Sequence, residues 1–432
     1  MRRICIVGTG YVGMASAIGL AELGFRVVGH DIATERIAGL RAGVTPYHEA
    51  GLEALLRRHL ASGLLTFETD LQTALDGCRK VMLAVGTPAL ADGSCDLASV
   101  DAAVEALAAA QLEPGTIVAI RSTVPVGTSD AIADRLRGKA EVIFAPEFLR
   151  EGSAVADFLT PDRIIVGAES TAAAAAYARL FESTEAALVI TTRKNAELIK
   201  YSSNAFLALK ISFANEVANL CDACGADADD VLRGVGYDRR IGGAFLSPGI
   251  GFGGPCFDKD VRSLERIAQH HGVPSELATA TLRVNAAQPK RVVRLLREEA
   301  GDLRGLTVGV WGLAFKAGTD DTRDSLATAI VADVVAAGAR VLAYDPAVTL
   351  VDLAAGASLV ASPEDALDAD VLLVLTEWPL FRTVHPHVIA RRLRRGIVVD
   401  GRNVLDRDRL VAAGLRYRGI GSSADPRELA TA

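Results

Sequence analysis

Nowhere does this chain run to the roughly 20 consecutive apolar residues that a membrane-spanning helix requires. Its Ala-rich stretches are broken too often by charged and polar residues. The N-terminal run Ile4-Cys5-Ile6-Val7 is too short for a signal-peptide core and leads directly into Gly8, so it reads as a strand. Positive charge is not in excess. Lys and Arg number 46 against 53 Asp and Glu, a formal net charge of -7, which argues against nucleic-acid or anionic-membrane binding and leaves room only for a local basic pocket. Cysteine is sparse: six in 432 residues do not make a disulfide scaffold. Cys221 and Cys224 form a C-x-x-C inside a segment that reads as helix, with no second Cys or His pair at zinc spacing, so no metal site is expected. A reducing cytoplasm is therefore the expected location, with neither membrane nor nucleic acid expected as a partner.

Apolar material, by contrast, is plentiful. Half the residues are hydrophobic and 23% are charged, enough to fill large cores. The length suggests two or three domains at roughly 100–200 residues each. In the first third, β-rich runs at Ile4–Val7, Val27–Val28, Val81–Val85, Ile117–Ile120 and Val142–Phe144 alternate with helical patterns such as Ala15–Leu23 and Leu97–Ala110. Such alternation predicts a parallel sheet covered by helices on both faces. From Asn195 to Cys224 the chain has neither Pro nor Gly and reads as one long helix. Helices of that length commonly bridge domains or pair with a second subunit. Strand-helix alternation resumes after Gly305, with strands expected at Thr307–Trp311, Arg340–Tyr344, Val371–Leu375 and Gly396–Val399, and the last dozen residues read as a tail. The fold class is α/β: two Rossmann-like, doubly wound parallel-sheet domains joined by a long central helix. The expected domains are 1–194, 195–300 and 301–432. The two halves share an architecture but no sequence repeat.

Gly8-Thr9-Gly10-Tyr11-Val12-Gly13 is a G-x-G-x-x-G that follows a strand and opens a helix, the context the dinucleotide fingerprint requires. Its first glycine permits the tight turn, the second a close approach of pyrophosphate, the third close packing of helix on strand. Asp31, at the end of the second strand, is placed to accept hydrogen bonds from ribose hydroxyls and would repel a 2′-phosphate, which favours NAD over NADP. Arg36 qualifies that reading, because a cation there suits either cofactor's phosphates. Two further loops follow strands, at Val85–Pro88 and Arg121–Thr128. Thr87 and Thr123 in them present hydroxyls to a cofactor or to water, or simply cap their loops.

Gly251-Phe252-Gly253-Gly254-Pro255-Cys256-Phe257-Asp258-Lys259-Asp260 is the most informative stretch. Its glycines suggest backbone held close to a ligand. A thiolate beside a cation or a helix N-terminus gains reactivity. A cysteine nucleophile combined with a hydride acceptor suggests oxidation at the aldehyde level, through a thioester. The competing reading is a buried structural cysteine in a glycine-rich turn.

Taken together, GTGYVG, RSTVPVGT, APEFLREGSA, ELIKYSSNAFLALKISFANE, GFGGPCFDKD, GLAFKAGTDDTRDS and DGRN resemble the UDP-glucose/GDP-mannose dehydrogenase family. The motifs occur in the family's order and span residues 1 to about 403. The resemblance implies an NAD-binding Rossmann domain, a helical dimerisation region and a C-terminal domain that helps hold a UDP-sugar. It also implies a four-electron oxidation of a primary alcohol to a carboxylate with two NAD. Matched motif by motif, Cys256 is the nucleophile. Lys200 and Asn204 hold the reacting oxygen, Asp260 positions water, and Glu147 serves thioester hydrolysis with water near Thr123. Glu151 lies at a position contacting sugar and cofactor, within the loop that also contains Phe148, Leu149 and Arg150. Phe245, Leu246, Ser247, Pro248, Gly249 and Gly253 match the backbone loop around the UDP-sugar, and Lys316 and Arg402 match substrate contacts. Lys259 and Arg323 join the cofactor set of Gly8, Gly10, Tyr11, Val12, Gly13, Asp31, Arg36, Thr87, Thr123 and Glu151. The segment from Gly236 to Leu246 resembles the family's UDP-glucose branch, in which an arginine like Arg240 reaches the substrate of a neighbouring subunit. UDP-glucose is therefore the expected substrate, in a homodimer or larger homo-oligomer. Sister enzymes of the GDP-mannose and UDP-N-acetylmannosamine type, a two-electron hydroxyacid dehydrogenase and a non-catalytic sugar-nucleotide binder are the alternatives. Two departures from the pattern stand out: Arg121 where lysine is frequent, and Pro255 before the cysteine, which removes one N–H donor.

Overall fold

The computed structural model describes residues 3–422. It forms two compact units. The first runs to Ser203 and takes back Arg266–Val273; the second holds Asn204–Glu265 and continues from Pro274.

In the first unit, eight strands make one sheet: β1 (Arg3–Val7), β2 (Arg26–His30), β3 (Leu65–Glu68), β4 (Cys78–Leu83), β5 (Ile117–Ile120), β6 (Glu141–Phe144), β7 (Arg163–Gly167) and β8 (Ala187–Thr191). Their order is β3-β2-β1-β4-β5-β6-β7-β8. All neighbours pair in parallel except β6 and β7, which are antiparallel. Alternate residues of one strand feed opposite faces. Ile4 and Ile6 enter one buried cluster with Met14, Ile18 and Phe158, while Cys5 and Val7 enter the other with Val104, Leu107 and Ile132. A strand buried on both faces needs a continuous apolar run, and β1 supplies it.

The second unit carries β9 (Thr307–Trp311), β10 (Arg340–Tyr344), β11 (Ala357–Leu359), β12 (Val371–Val374), β13 (Ile397–Asp400) and β14 (Arg416–Gly419), in the all-parallel order β11-β10-β9-β12-β13-β14. That is the doubly wound 3-2-1-4-5-6 order, whose reversal beside the first strand opens a ligand crevice at the strands' carboxyl ends. Val371 and Leu373 pack to one face, Leu372 and Val374 to the other. On the latter face Trp311 stacks on Phe381 at 5.0 Å and donates its indole N–H to Pro363 O at 2.9 Å. A buried indole needs such a partner.

The long helix spans Arg193–Cys224 and carries the C-x-x-C of Cys221 and Cys224. Its polarity is inverted. Glu197, Lys200, Asn204 and Asn215 are buried, whereas Phe206, Phe213 and Leu220 are 61%, 49% and 65% exposed. At about 100° per residue the two sets fall on opposite faces. Two more helices of this part of the chain are Phe257–His270 and Glu276–Ala300. Among the described residues no helix is long and apolar enough to cross a membrane. Apart from Gly421 and Ser422, the expected C-terminal tail lies outside the described residues.

Candidate active site

The turn after β1 is tight and leaves a helix end open. Gly8 has φ 94°, and its N–H donates to His30 O at 2.8 Å. A Cβ on Gly13 would lie 1.9 Å from Gly8 O, so only glycine lets the helix Tyr11–Glu22 sit this close to the strand. Gly10 faces open space instead, with nothing within 4 Å of a Cβ. It is also the helix N-cap, without a side-chain cap or an acid in the first turn. Uncapped N–H groups at a positive dipole end suit a pyrophosphate. Val12 is half-buried just inside that helix.

Asp31 is buried at the tip of β2. Its Oδ2 accepts from Thr9 N and Thr9 Oγ1, both at 2.9 Å, and from Arg36 at 2.8 Å, while Oδ1 accepts from Ala33 N at 3.0 Å. Burial alone would raise its carboxyl, but these donors outweigh burial and hold it below the ordinary range. Asp31 thus braces the glycine turn and keeps a negative charge beside it. Arg36 is already engaged with that charge. Thr87 and Thr123 are half-buried in the loops after β4 and β5, and Thr123 O accepts from Cys95 Sγ at 3.7 Å.

Beyond β6, Glu147 and Glu151 sit in a loop; the next helix begins only at Ala154, so these acids do not start a helix. Glu147 and Lys200 make a buried pair. Lys200 Nζ donates to Glu147 O at 2.7 Å and to Glu147 Oε1 at 3.1 Å, and Glu147 Oε2 accepts from Leu149 N at 2.6 Å. The Phe148 ring lies 5.2 Å from Lys200 Nζ and 3.9 Å from the Arg163 guanidinium carbon. Arg150 forks onto Asp157, with Nη2 to Oδ1 at 2.6 Å and Nε to Oδ2 at 3.1 Å. Glu151 is half-buried. Glu197, one turn before Lys200, accepts from Gly127 N at 2.6 Å and Ser129 N at 2.8 Å, and so fixes the loop that carries Thr123. Arg121, at the departure from lysine, is buried and donates to Ala145 O and Tyr177 Oη, each at 3.4 Å.

The second unit holds the cysteine. Cys256 is exposed, and its carbonyl accepts from Asp260 N at 2.9 Å, so it caps the helix Phe257–His270. The helix's positive end favours a thiolate there. The structural-cysteine reading fails on this exposure. One turn on, buried Asp260 accepts from Asn204 Nδ2 at 2.6 Å and from Lys259 Nζ at 2.6 Å. Lys259 is thereby placed on a carboxylate.

The glycine loop is held from outside by amides. Asn215 Oδ1 accepts from Gly249 N at 2.7 Å, and Gln288 Nε2 donates to Gly249 O at 3.0 Å. Asn285 bonds both backbone groups of Phe252, at 2.8 and 2.9 Å. Sequence reasoning missed these three, and also Glu197. For Glu197 and Asn215 a signal existed: polar residues at helical spacing on the face that also carries Lys200 and Asn204. Asn285 and Gln288 had no such marker.

Arg402 clamps the same loop. It donates to Leu375 O, Gly251 O and Phe315 O at 3.0, 3.4 and 3.3 Å and pairs with Glu377 at 3.3 Å. Leu246, Pro248 and Gly249 are buried, Phe245 and Gly253 are half-buried, and Ser247 is exposed. Lys316 Nζ lies 5.8 Å from the Phe315 ring centre. Arg323 is exposed on Asp321, with Nε 3.0 and 2.9 Å from its two oxygens, and Arg240 is exposed on Asp238. Among the described residues, three non-glycines have positive φ: Phe245 (64°), Asp324 (50°) and Asn403 (51°). Each is, or adjoins, a residue expected to hold substrate or cofactor, and such backbone strain persists where function requires a geometry.

Family models match in three consecutive pieces, described as the NAD binding domain (residues 2–185), the central domain (194–287) and the UDP binding domain (309–407) of one family. The chain belongs to the UDP-glucose/GDP-mannose dehydrogenase family. NAD is its cofactor, and the open, uncapped turn at residues 8–13 fits it. A UDP-glucose 6-dehydrogenase of Rhizobium meliloti is 41% identical over 97% of this chain and 99% of its own. Of the family's solved structures, a UDP-glucose dehydrogenase from Pyrobaculum islandicum has a TM-score of 0.88 at 39% identity, covering 98% of each chain. A UDP-D-ManNAc dehydrogenase from Pyrococcus horikoshii has 0.86 at 29%, covering 97% of this chain and 99% of that one. The family membership makes this chain an NAD-dependent oxidoreductase acting on a nucleotide sugar.

Proposed function

We propose that the chain is a UDP-glucose 6-dehydrogenase, converting the C6 alcohol of UDP-glucose to the carboxylate of UDP-glucuronate. The observation that carries the chemistry is Cys256: an exposed thiol capping a helix, one turn from a carboxylate held by Asn204 and Lys259. The choice of glucose is supported by the higher identity to the UDP-glucose dehydrogenase than to the UDP-D-ManNAc dehydrogenase.

The alcohol first loses its proton, to water positioned by Asp260, and a hydride, and becomes an aldehyde. The Cys256 thiolate adds to the aldehyde carbon, a C–S bond forms and the oxygen takes the negative charge. Lys200 has three N–H donors. Glu147 accepts from two, and the third is suited to that oxyanion, together with the Asn204 amide. Loss of a second hydride gives the thioester. Water then adds, the C–S bond breaks, and carboxylate and thiolate are released. Glu147 and Asp260 are the bases that take the water's protons. NAD, when bound, is the hydride acceptor for both oxidations. Lys316, Arg402 and the loop 245–253 hold the UDP-sugar in this reading.

A homodimer or larger homo-oligomer in the cytoplasm belongs to the same proposal, supported by the exposed Phe206, Phe213 and Leu220. The test is a substrate panel: purified protein with NAD and, separately, UDP-glucose, UDP-galactose, GDP-mannose and UDP-N-acetylmannosamine. UDP-glucose should give two NADH per sugar. One NADH per sugar, or faster turnover of another sugar, sinks the proposal. Cys256→Ser should lose turnover by about a thousandfold or more; full activity in that variant rules out the covalent scheme.

A further inference from the structure

One buried carboxylate of the first unit has no part in the chemistry above. Glu49 is 8% exposed. Its Oε2 accepts from Tyr11 Oη at 2.6 Å, and its Oε1 accepts from Val155 N at 3.2 Å, in the first turn of the helix Ala154–Leu159. Tyr11 is the first helical residue of the cofactor turn. Its hydroxyl also lies 3.0 Å from Arg150 O, in the loop that carries Glu147 and Glu151. Tyr47 packs its ring at 4.7 Å from the Tyr11 ring and donates its hydroxyl to Tyr11 O at 3.3 Å. Burial, then the Glu49 hydrogen bond and charge, push the Tyr11 phenol well above its ordinary range, so it stays a donor.

Tyr11 has one proton for two acceptors. The shorter bond holds that proton on the Glu49 side, and Arg150 O is the alternative acceptor. Any displacement of the cofactor turn therefore redistributes the proton between a carboxylate tied to Val155 and a carbonyl of the acidic loop. We infer that Glu49 is a positioning residue which, through Tyr11, couples the cofactor turn to the 147–159 stretch, so that NAD binding orders the loop that carries Glu147 and Glu151. Glu49 itself need touch neither ligand.

The inference rests on the proposed function only for what the ordered loop then does; the coupling needs NAD alone. Hydrogen exchange with and without NAD tests it. In the unmodified protein NAD should slow amide exchange in both the 8–13 turn and the 147–159 stretch, the latter about fivefold or more. In Glu49→Gln, outside the cofactor set, protection of 8–13 should persist. That of 147–159 should fall to about twofold or less. Tyr11→Phe, which deletes one hydroxyl and keeps the ring against Tyr47, should lose the 147–159 protection alike, and the double variant should be no worse than either single one. Unchanged protection of 147–159 in Glu49→Gln, its absence in the unmodified protein, or losses that multiply in the double variant would overturn the inference. If Glu49→Gln does not fold, Tyr11→Phe decides alone. A protein that shows the coupling but oxidises no UDP-glucose leaves this inference standing and fails the proposed function.

Discussion

The two sheets make the same turn twice and use it differently. After β1, Gly8 at φ 94° donates to His30 O, and Asp31 after β2 accepts from Thr9 N. After β9, Gly312 at φ 97° donates to Tyr344 O at 2.8 Å, and Asp345 after β10 accepts from Leu313 N at 2.8 Å and Ala314 N at 3.0 Å. The segments leaving the two turns are unlike. The first passes into a helix within three residues and leaves its N-terminus uncapped. The second runs through Lys316 and Arg323 before its helix starts at Leu326, and Ser325 caps that helix by accepting from Ala327 N at 3.3 Å. The partners of the acids differ as well: Arg36 lies on Asp31, and Trp378 Nε1 donates to Asp345 Oδ2 at 3.1 Å. One βα turn thus leaves a helix N-terminus uncapped, and the other makes a closed brace that leads into a cation-bearing loop.

Four substitutions break or sharpen this contrast. Gly13→Ala forces a Cβ onto Gly8 O, and NAD affinity should fall by about a hundredfold or more, a cost near 3 kcal/mol. Calorimetric titration with UDP-glucose, the substrate proposed above, should show its binding retained. Gly312→Ala meets Thr376 N at 2.6 Å and demands an unfavourable φ, so the second unit should lose about 2 kcal/mol. Both tryptophans, Trp311 and Trp378, lie in that unit. Intrinsic fluorescence during urea unfolding therefore reads it separately, and an unshifted midpoint contradicts the comparison. Asp31→Asn removes the carboxylate charge beside the glycine turn; if that charge repels a 2′-phosphate, the ratio of kcat/KM for NAD over NADP drops about tenfold, or 1.4 kcal/mol. An unaltered ratio would assign the preference elsewhere. Ser325→Ala should cost about 1 kcal/mol by the same fluorescence measurement and leave NAD binding untouched. Weaker NAD binding there would mean the closed turn is not the separate brace described.

Much of this was legible beforehand, for physical reasons. Strands buried on both faces announce themselves as apolar runs, and Ile117–Ile120, Thr307–Trp311 and Arg340–Tyr344 agree with the structure residue for residue. The long helix was visible because nothing in it breaks a helix. β3, β7, β8, β11 and β14 were not recognised. β8, Ala187–Thr191, lies at the sheet edge and is largely exposed; β14 reads Arg-Tyr-Arg-Gly and carries little apolar signal. Val85 was expected inside a strand, but β4 ends at Leu83 and the chain leaves the ladder before Gly86. In the site, residues proposed to act through their own chemistry, such as Cys256 and Lys200, were named from motif. Residues that act by holding backbone, such as Asn285 and Gln288, depend on partners some 33 and 39 positions away, and no local pattern encodes that pairing.

The inverted polarity of the long helix limits how its sequence can change in length. Glu197 and Lys200 have fixed partners in the first unit, Asn204 and Asn215 in the second. A residue inserted between Asn204 and Asn215 would turn the later part of the helix by about 100° against the earlier. With Asn204 held on Asp260, Asn215 would swing away from Gly249. Substitution can adjust this helix one contact at a time; an insertion there must break one contact or the other.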